Sequence, residues 1–287
     1  MRWVVASIEE RPLVMSFSRV IGEKLKLMTK PRVNYDQLAP TYDKRFVHDR
    51  TEGIGQALLD LAHRLNAGRI LEVGCGTCHW LAQMQRVGSR RYGLDLSTGM
   101  LNQTRERTTG IGLVNGYARR LPFASGMFDL VFCVNAIHHF QDSRGFVSEA
   151  ARVLRWGGVL AVVGGDPHGR RESWFGYRYF DGVYETDLTR FHTWKTVREW
   201  MLEDGFEEIE WREVERIEDP KYGRGVFDDP FLEKNSCSQL ALLTEEAYRT
   251  GLERIEADLV EAEVRGETLV FETDILTAML AGRKARE

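Results

Sequence analysis

The sequence predicts an α/β protein built on a doubly wound, mostly parallel sheet. Three observations carry that prediction. Short apolar runs alternate with segments of helical spacing from Ile54 to Val163, and such alternation implies βαβ units with helices on both faces of the sheet. A glycine turn, Gly74-Cys75-Gly76, stands between the first strand of the series and its helix. An acidic residue, Asp95, closes the next strand about 20 residues further on.

The elements follow in order. Tyr35 to Ala39, with Tyr42-Asp43, reads as a short amphipathic helical entry. Ile54, Ala57, Leu58, Leu61 and Leu65 recur at helical spacing, and Gly68 stands where a helix stops. Arg69–Val73 is a strand, His79–Arg86 a helix, Arg91–Leu94 a strand, Thr98–Arg107 a helix and Gly112–Asn115 a strand. Phe128–Val134 is a longer apolar strand. Arg144–Leu154 is an amphipathic helix ended by Gly157-Gly158, and Val159–Val163 is a strand. Pro167–Thr193 is rich in aromatic and charged residues and shows no strand pattern. Trp194–Leu202 resumes a helix, Gly205–Arg216 reads as a strand and Asp219–Gln239 is rich in turns. Thr244 opens a helix to Glu263, with acidic residues in its first turn. Leu269–Leu280 supplies the last strand.

Composition narrows the function classes. A chain of 287 residues, 43% hydrophobic and 29% charged, buries its own core as one large domain with insertions or as two small ones. The net charge of −4 opposes non-specific nucleic-acid binding, which needs a basic face. No apolar run reaches the roughly 18 residues of a membrane span. Four cysteines and no secretory signal point to a reducing, cytoplasmic setting. The basic stretch over residues 1–33 reads as a loosely attached or disordered extension rather than a targeting segment, and the domain proper covers 34–287.

The glycine turn discriminates between ligands. Glycines allow a tight turn and close approach of backbone to a ligand. A dinucleotide loop needs Gly-x-Gly-x-x-Gly, but His79 occupies the position three after Gly76. Glu72 sets a negative charge just before the turn, which suits a ligand with an ammonium and a sulfonium better than a pyrophosphate. The literal Cys75-x-x-Cys78-His79 pattern reads poorly as haem attachment or a redox pair, because it sits inside a loop that already has a role.

Leu71-Glu72-Val73-Gly74-Cys75-Gly76-Thr77-Cys78 resembles the first motif, Glu-x-Gly-x-Gly-x-Gly, of class I S-adenosylmethionine (SAM)-dependent methyltransferases. It matches at Glu72, Gly74 and Gly76, with Cys78 in place of the third glycine. Further motifs agree in order: Gly93-Leu94-Asp95-Leu96-Ser97 with Met100, Leu121-Pro122-Phe123, Phe128-Asp129-Leu130-Val131, Asn135-Ala136-Ile137-His138-His139-Phe140, and Glu149 to Leu154 before Gly157-Gly158. The resemblance covers Tyr35 to Val163 and is nearest the type 11 group that includes quinone-type and other small-molecule methyltransferases. It implies a Rossmann-like, mostly parallel seven-stranded sheet with the last strand antiparallel. Helical and aromatic cap insertions are expected near 167–193 and 219–244.

The resemblance implies SAM as cofactor, held by Tyr42, Glu72, Gly74, Cys75, Gly76, Asp95, Leu96, Met100, Tyr117, Ala118 and Asn135. Relatives often carry an Asp-Ala pair where this chain has Tyr117-Ala118, so either Tyr117 is expected to stack on or flank the adenine or the backbone supplies that contact. The acceptor side draws on His138, Asp166, Tyr177, Tyr184 and Arg190. His139 or His168 is the candidate base, and Tyr177 or Tyr184 orients the acceptor. No metal is expected, because the adjacent histidines lack a third ligand at suitable spacing. The expected reaction is methyl transfer to an oxygen, nitrogen or carbon of a small molecule. Rival readings are an RNA, DNA or protein methyltransferase, an NAD-dependent oxidoreductase, and a non-catalytic SAM-binding protein. The segment after Val134 lacks the paired prolines of amino-methylating nucleic-acid enzymes. Assembly as a homodimer stays open.

Overall fold

The computed structural model describes residues 33–46, 52–87 and 90–286. Expectations for residues 1–32 lie outside the described residues. Helix α1 (Tyr35–Leu38) is capped by Asn34, whose side chain accepts from the Asp36 amide, and a 3-10 helix runs on over Ala39–Phe46. Helix α2 is Glu52–Arg64, strand β1 is Arg69–Val73 and helix α3 is His79–Gln83. Strand β2 (Arg90–Asp95), helix α4 (Thr98–Arg107), strand β3 (Ile111–Asn115) and strand β4 (Phe128–Val134) come next. Helix α5 (Ser143–Val153) starts at Asp142, whose carboxylate accepts from the Gly145 amide, and leads into β5 (Leu154–Gly164).

The strands after that point build the far edge of the sheet. Helices α6 (Gly176–Tyr179), α7 (Val183–Arg190) and α8 (Trp194–Glu203) precede strand β6 (Phe206–Glu218). Helices α9 (Ser238–Ala241) and α10 (Glu245–Arg265) precede strand β7 (Asp274–Lys284). The seven strands lie in the order β3-β2-β1-β4-β5-β7-β6. The first five are parallel, and β7 runs antiparallel to both β5 and β6. Strand order therefore reverses between β1 and β4, and ligands of open α/β sheets bind beyond the carboxyl ends of strands at such a switch point. Asp129 fixes β1 and β4 at their amino ends, opposite that crevice: its Oδ2 accepts from the Gly68 and Arg69 amides, each at 2.8 Å.

Two strand starts differ from the sequence expectation, each for a local reason. Strand β5 begins at Leu154 rather than Val159, because Leu154 already pairs with Phe128 before a register shift. Gly157, at φ +73°, serves that irregularity and not the helix end. Strand β7 starts at Asp274, since Val270–Phe271 leaves the sheet to pair with Lys221–Tyr222 in a separate ribbon. The region 167–193, where a helical and aromatic cap insertion is expected, holds the short helices α6 and α7.

The two sheet faces bury separate clusters, one on Phe128, Phe146, Val131 and Leu160, the other on Leu58, Ile70, Phe132 and Val163. A third cluster joins Trp174, Phe175, Tyr177, Tyr179, Phe180 and Val183 to Val226, Leu240, Ile255, Leu259 and Phe271. The cap thus includes α10 as well as the two insertions. Helix α10 is well bounded: Thr244 Oγ1 accepts from the Ala247 amide and Gly266 closes it in the left-handed region at φ +70°. Its contact with the insertion runs through Gly251, where a Cβ would meet Phe180 Cδ1 at 2.2 Å. Gly251→Ala gains about 1 kcal/mol of helix propensity, but overpacking against a buried ring costs about 1–3 kcal/mol. The expected result is a lower melting temperature; an unchanged or higher one would show that this packing is not needed.

Among the described residues, no helix is long and apolar enough to cross a membrane.

Candidate cofactor and acceptor site

The loop after β1 is shaped by its left-handed residues. Gly74 takes φ +72°, and a Cβ there would lie 2.6 Å from the Ala136 Cβ, so only glycine lets the β1 and β4 loops approach. Gly76 follows at φ +52°. Cys78, at φ +57° and ψ +31°, occupies the position where relatives of this motif place glycine. An L-residue in that region costs about 1–2 kcal/mol. The loop tolerates it because the Cys78 amide donates to the Cys75 carbonyl at 2.7 Å and Gly93 makes room for both sulfurs. A Cβ on Gly93 would lie 2.8 Å from each Sγ. Both thiols are thereby buried, which removes them from haem attachment. Burial, first among its causes, pushes the Cys75 thiol well up.

Two carboxylates flank this loop. Asp95 at the end of β2 accepts from the Gly76 amide on Oδ2 and from the Ser97 amide on Oδ1, each at 2.8 Å. Burial raises its pKa, and the amides of Ser97, Gly76 and Leu96 oppose that rise. Each oxygen keeps a second lone pair for a further donor. Glu72 in β1 is buried at 1% exposure. Its Oε2 has no hydrogen-bond partner among the described residues. Burial, then the neighbouring Cys78 and Asp95, raise its pKa well above the usual carboxylate value. An unsatisfied buried carboxylate is costly. A ligand with an ammonium and a sulfonium beside the glycine loop, and a ribose diol at Asp95, fits this pair of acceptors; a pyrophosphate does not.

The N-terminal entry packs onto the same loop. Asp36 Oδ1 accepts from Ser97 Oγ at 2.6 Å and from the Gly99 amide at 2.8 Å, which holds its carboxyl below the usual range. Thr77 Oγ1 donates to Asp43 Oδ1 at 2.5 Å. The Tyr42 ring lies 3.6 Å from where a Cβ on Gly76 would stand. Sequence reasoning named Tyr42 and passed over Asp36 and Asp43, although the Tyr35-Asp36 and Tyr42-Asp43 pairs are visible. Met100, by contrast, is buried beneath Leu38 and Ala39, so its side chain packs the entry against α4.

At the other end of the loop, Leu96 and Tyr117 are large apolar side chains left 43% and 47% exposed. Asn115 Nδ2 donates to the Asp95 and Leu96 carbonyls, tying their two strand ends together. A flat apolar base between Leu96 and Tyr117 would cover both. Ala118 packs on the core behind. Asn135 follows β4 at φ +47°, its amide donating to the Val163 carbonyl at 2.9 Å.

Beyond β4 the structure assembles a connected polar chain. His138 is buried and stacks on Phe191 with centroids 3.9 Å apart and an interplanar angle of 13°. This places His138 in the packing rather than at an open acceptor position. His139 Nε2 lies 2.7 Å from Tyr35 Oη, and its Nδ1 lies 3.3 Å from Arg190 Nη2. Arg190 also donates to Asp187 at 3.1 Å, and Tyr177 Oη donates to the other Asp187 oxygen at 2.8 Å. Burial first, then the Asp187 charge, push the Tyr177 hydroxyl up. Arg190 and Asp187 are 1% and 0% exposed, so the guanidinium named for the acceptor serves inside the protein. Asp187 was not foreseen; its spacing one helical turn before Arg190 is the available signal. Beyond β5, Asp166 Oδ1 accepts from the His168 ring at 2.7 Å. Tyr184 Oη donates to the Pro167 carbonyl at 3.3 Å, and its ring meets Tyr177 edge-on.

Residues 71–162 match a family described as "Methyltransferase domain". The chain is 35% identical over 102 residues to a probable S-adenosylmethionine-dependent methyltransferase of Mycolicibacterium smegmatis, over 36% of this chain and 40% of that protein. It is 34% identical to a phthiotriol/phenolphthiotriol dimycocerosates methyltransferase of Mycobacterium leprae, over 42% of this chain and 48% of that protein. It is 31% identical to the aklanonic acid methyltransferase of a Streptomyces species, over 45% and 62%. The matched stretches span about half the length of these relatives. A crystal structure from Anabaena variabilis, assigned as a methyltransferase from an antibiotic biosynthesis pathway, shares the fold at a TM-score of 0.61 and 21% identity, over 79% of this chain and 96% of its own. A phosphoethanolamine N-methyltransferase of Haemonchus contortus, crystallised with S-adenosylmethionine, does so at 0.50 and 19%, over 80% and 52%. With the sheet order and the loop already established, residues 71–162 are identified as a methyltransferase domain, similar in sequence to S-adenosylmethionine-dependent methyltransferases and in fold to solved methyltransferase structures.

Proposed function

We propose that the protein transfers the methyl group of SAM to an oxygen, nitrogen or carbon of a small-molecule acceptor. The observation that carries this reading is the buried Glu72 carboxylate, whose Oε2 no described residue satisfies, beside a loop closed on Asp95. When bound, SAM supplies a methyl group already activated on a sulfonium, so the protein's task is positioning and exclusion of water. Gly74, Cys75 and Gly76 offer backbone to the cofactor, Asp95 takes the ribose, and Leu96, Tyr117 and Ala118 flank the adenine. The aromatic cap built from 167–193 and 219–244 walls the acceptor space at the carboxyl edge of the sheet. Its polar members near β4 and β5 are the candidate acceptor contacts: Asp166, His168 and Tyr184.

Support for a small acceptor comes from the relatives, which include a phthiotriol/phenolphthiotriol dimycocerosates methyltransferase and an aklanonic acid methyltransferase, and from the net charge of −4. A reducing, cytoplasmic setting fits the four cysteines, none of which forms a disulfide among the described residues. A second reading, SAM binding without methyl transfer, has one observation in its favour. A [4+2]-cyclase shares the fold at a TM-score of 0.51 and 19% identity, so this sheet hosts other chemistry too.

Methyl-labelled SAM tests the proposal when the full-length protein is offered phenols, hydroxy acids, amines and activated carbon acids, with transfer RNA and a protein extract in parallel. Label in a small product is expected. Label in the RNA or protein alone overturns the acceptor class, and bound but untransferred SAM favours the second reading.

A further inference from the structure

We propose that the two histidines on the acceptor side are locked in opposite tautomers, and that His168, not His139, takes the acceptor's proton. Asp166 positions the first, and Arg190 with Asp187 positions the second. The proposal rests on the methyl-transfer reading above.

Hydrogen-bond chemistry decides the assignment. A guanidinium only donates. Arg190 Nη2 lies 3.3 Å from His139 Nδ1, so that nitrogen keeps its lone pair and spends it on Arg190. The ring proton of the neutral imidazole then sits on Nε2 and points to Tyr35 Oη at 2.7 Å. Neither nitrogen of His139 retains a lone pair for an incoming proton. Arg190 is held in that role, since Asp187 binds its other arm at 3.1 Å and is itself pinned by Tyr177 at 2.8 Å. Guanidinium and carboxylate are both fully buried.

His168 meets the opposite partner. A carboxylate only accepts, so the 2.7 Å contact with Asp166 Oδ1 places the ring proton on Nδ1. Nε2 then carries a lone pair and makes no hydrogen bond among the described residues. The His168 side chain is one-third exposed, so that lone pair is within reach of a bound molecule. Asp166 is fixed by the His168 amide at 3.0 Å and, through Oδ2, by the Trp194 amide at 3.3 Å. A carboxylate behind an imidazole holds the tautomer and stabilises the imidazolium that forms.

The two histidines belong to one neighbourhood. They follow β4 and β5, which pair through Val134 and Val163. Helix α7 touches both sides: its Tyr184 bonds the Pro167 carbonyl next to His168, and its Arg190 bonds His139. In the transfer, the acceptor atom's lone pair forms the bond to the methyl carbon and the carbon–sulfur pair returns to sulfur. The acceptor's proton passes to His168 Nε2, and from the resulting imidazolium to solvent.

Nitrogen-15 NMR of histidine-labelled protein, read through two-bond ring correlations, tests this directly. The expected spectrum has the His139 proton on Nε2 and the His168 proton on Nδ1. Arg190→Gln should release His139 into a mixture of tautomers while His168 keeps its own. Should that variant fail to fold, the wild-type spectrum still decides, because a proton on His139 Nδ1 or on His168 Nε2 overturns the proposal. With an acceptor found in the labelled-methyl panel, His168→Gln should lower turnover about a hundredfold or more without weakening SAM in calorimetric titration. Turnover within threefold of wild type would also overturn it. Absence of SAM binding by the wild-type protein would instead remove the methyltransferase reading and leave the tautomers standing.

Discussion

Asp95→Ala is expected to weaken SAM binding by at least a hundredfold and to leave the sheet folded. Two hydrogen bonds from a ribose diol to a carboxylate are worth about 1.5–3 kcal/mol each, so their joint loss corresponds to about 3–6 kcal/mol. The carboxylate also accepts the Gly76 and Ser97 amides, and its removal leaves two backbone donors of the loop unpaired. Asp95→Asn is informative because shape is kept. An asparagine turns an NH2 group toward either the Gly76 or the Ser97 amide, donor against donor, so it too should bind SAM poorly. Calorimetric titration gives the affinities and thermal melting the fold. Binding within threefold of wild type in both variants would remove Asp95 from the site.

Glu72→Gln is expected to act in opposite directions on stability and on SAM. The folded-state pKa of Glu72 is raised well above its ordinary value of 4.5, through burial before any other cause. A raised carboxyl binds more protons in the folded state than in the unfolded one. Its contribution is therefore fully present below the ordinary value and is lost as pH rises from there toward the raised folded value. Each unit of that window is about 1.4 kcal/mol. Glu72→Gln carries no titrating proton, so near neutral pH the free variant should be more stable than wild type, and its melting temperature should not decline over that window. A cationic ligand reverses the balance, since it favours the ionised carboxylate. SAM binding to the wild-type protein should release a proton, visible as a titration enthalpy that changes with the buffer's ionisation enthalpy. The variant should show no such dependence and should bind SAM about tenfold or more weakly. A less stable variant with unaltered SAM affinity would make Glu72 an ordinary buried residue of β1.

Much of this site can be read in the sequence because local rules govern it. The turn at Gly74 and Gly76, the acidic end of β2 and the alternation of strands all depend on residues close in the chain. The sheet order follows from handed crossovers once those strands are identified. What the sequence hides depends on distant partners. Nothing near His139 announces Arg190, which arrives from 51 positions away. The burial of His138 on Phe191 and of Met100 beneath Leu38 is equally non-local. The left-handed Cys78 looks like a damaged motif in sequence, yet the side-chain-free surface of Gly93 accommodates it. In the cap, aromatic density near Trp174 to Phe180 is plain, but its closure by α10 through Gly251 is a packing fact that no period reveals.

Calorimetric titration of the full-length protein with SAM and, separately, with NAD tests the central claim most directly. Micromolar SAM binding, with no heat from NAD, is the predicted result. NAD binding, or silence toward SAM while the protein is folded by thermal melting, would contradict the assignment of the glycine loop, Glu72 and Asp95 to that cofactor.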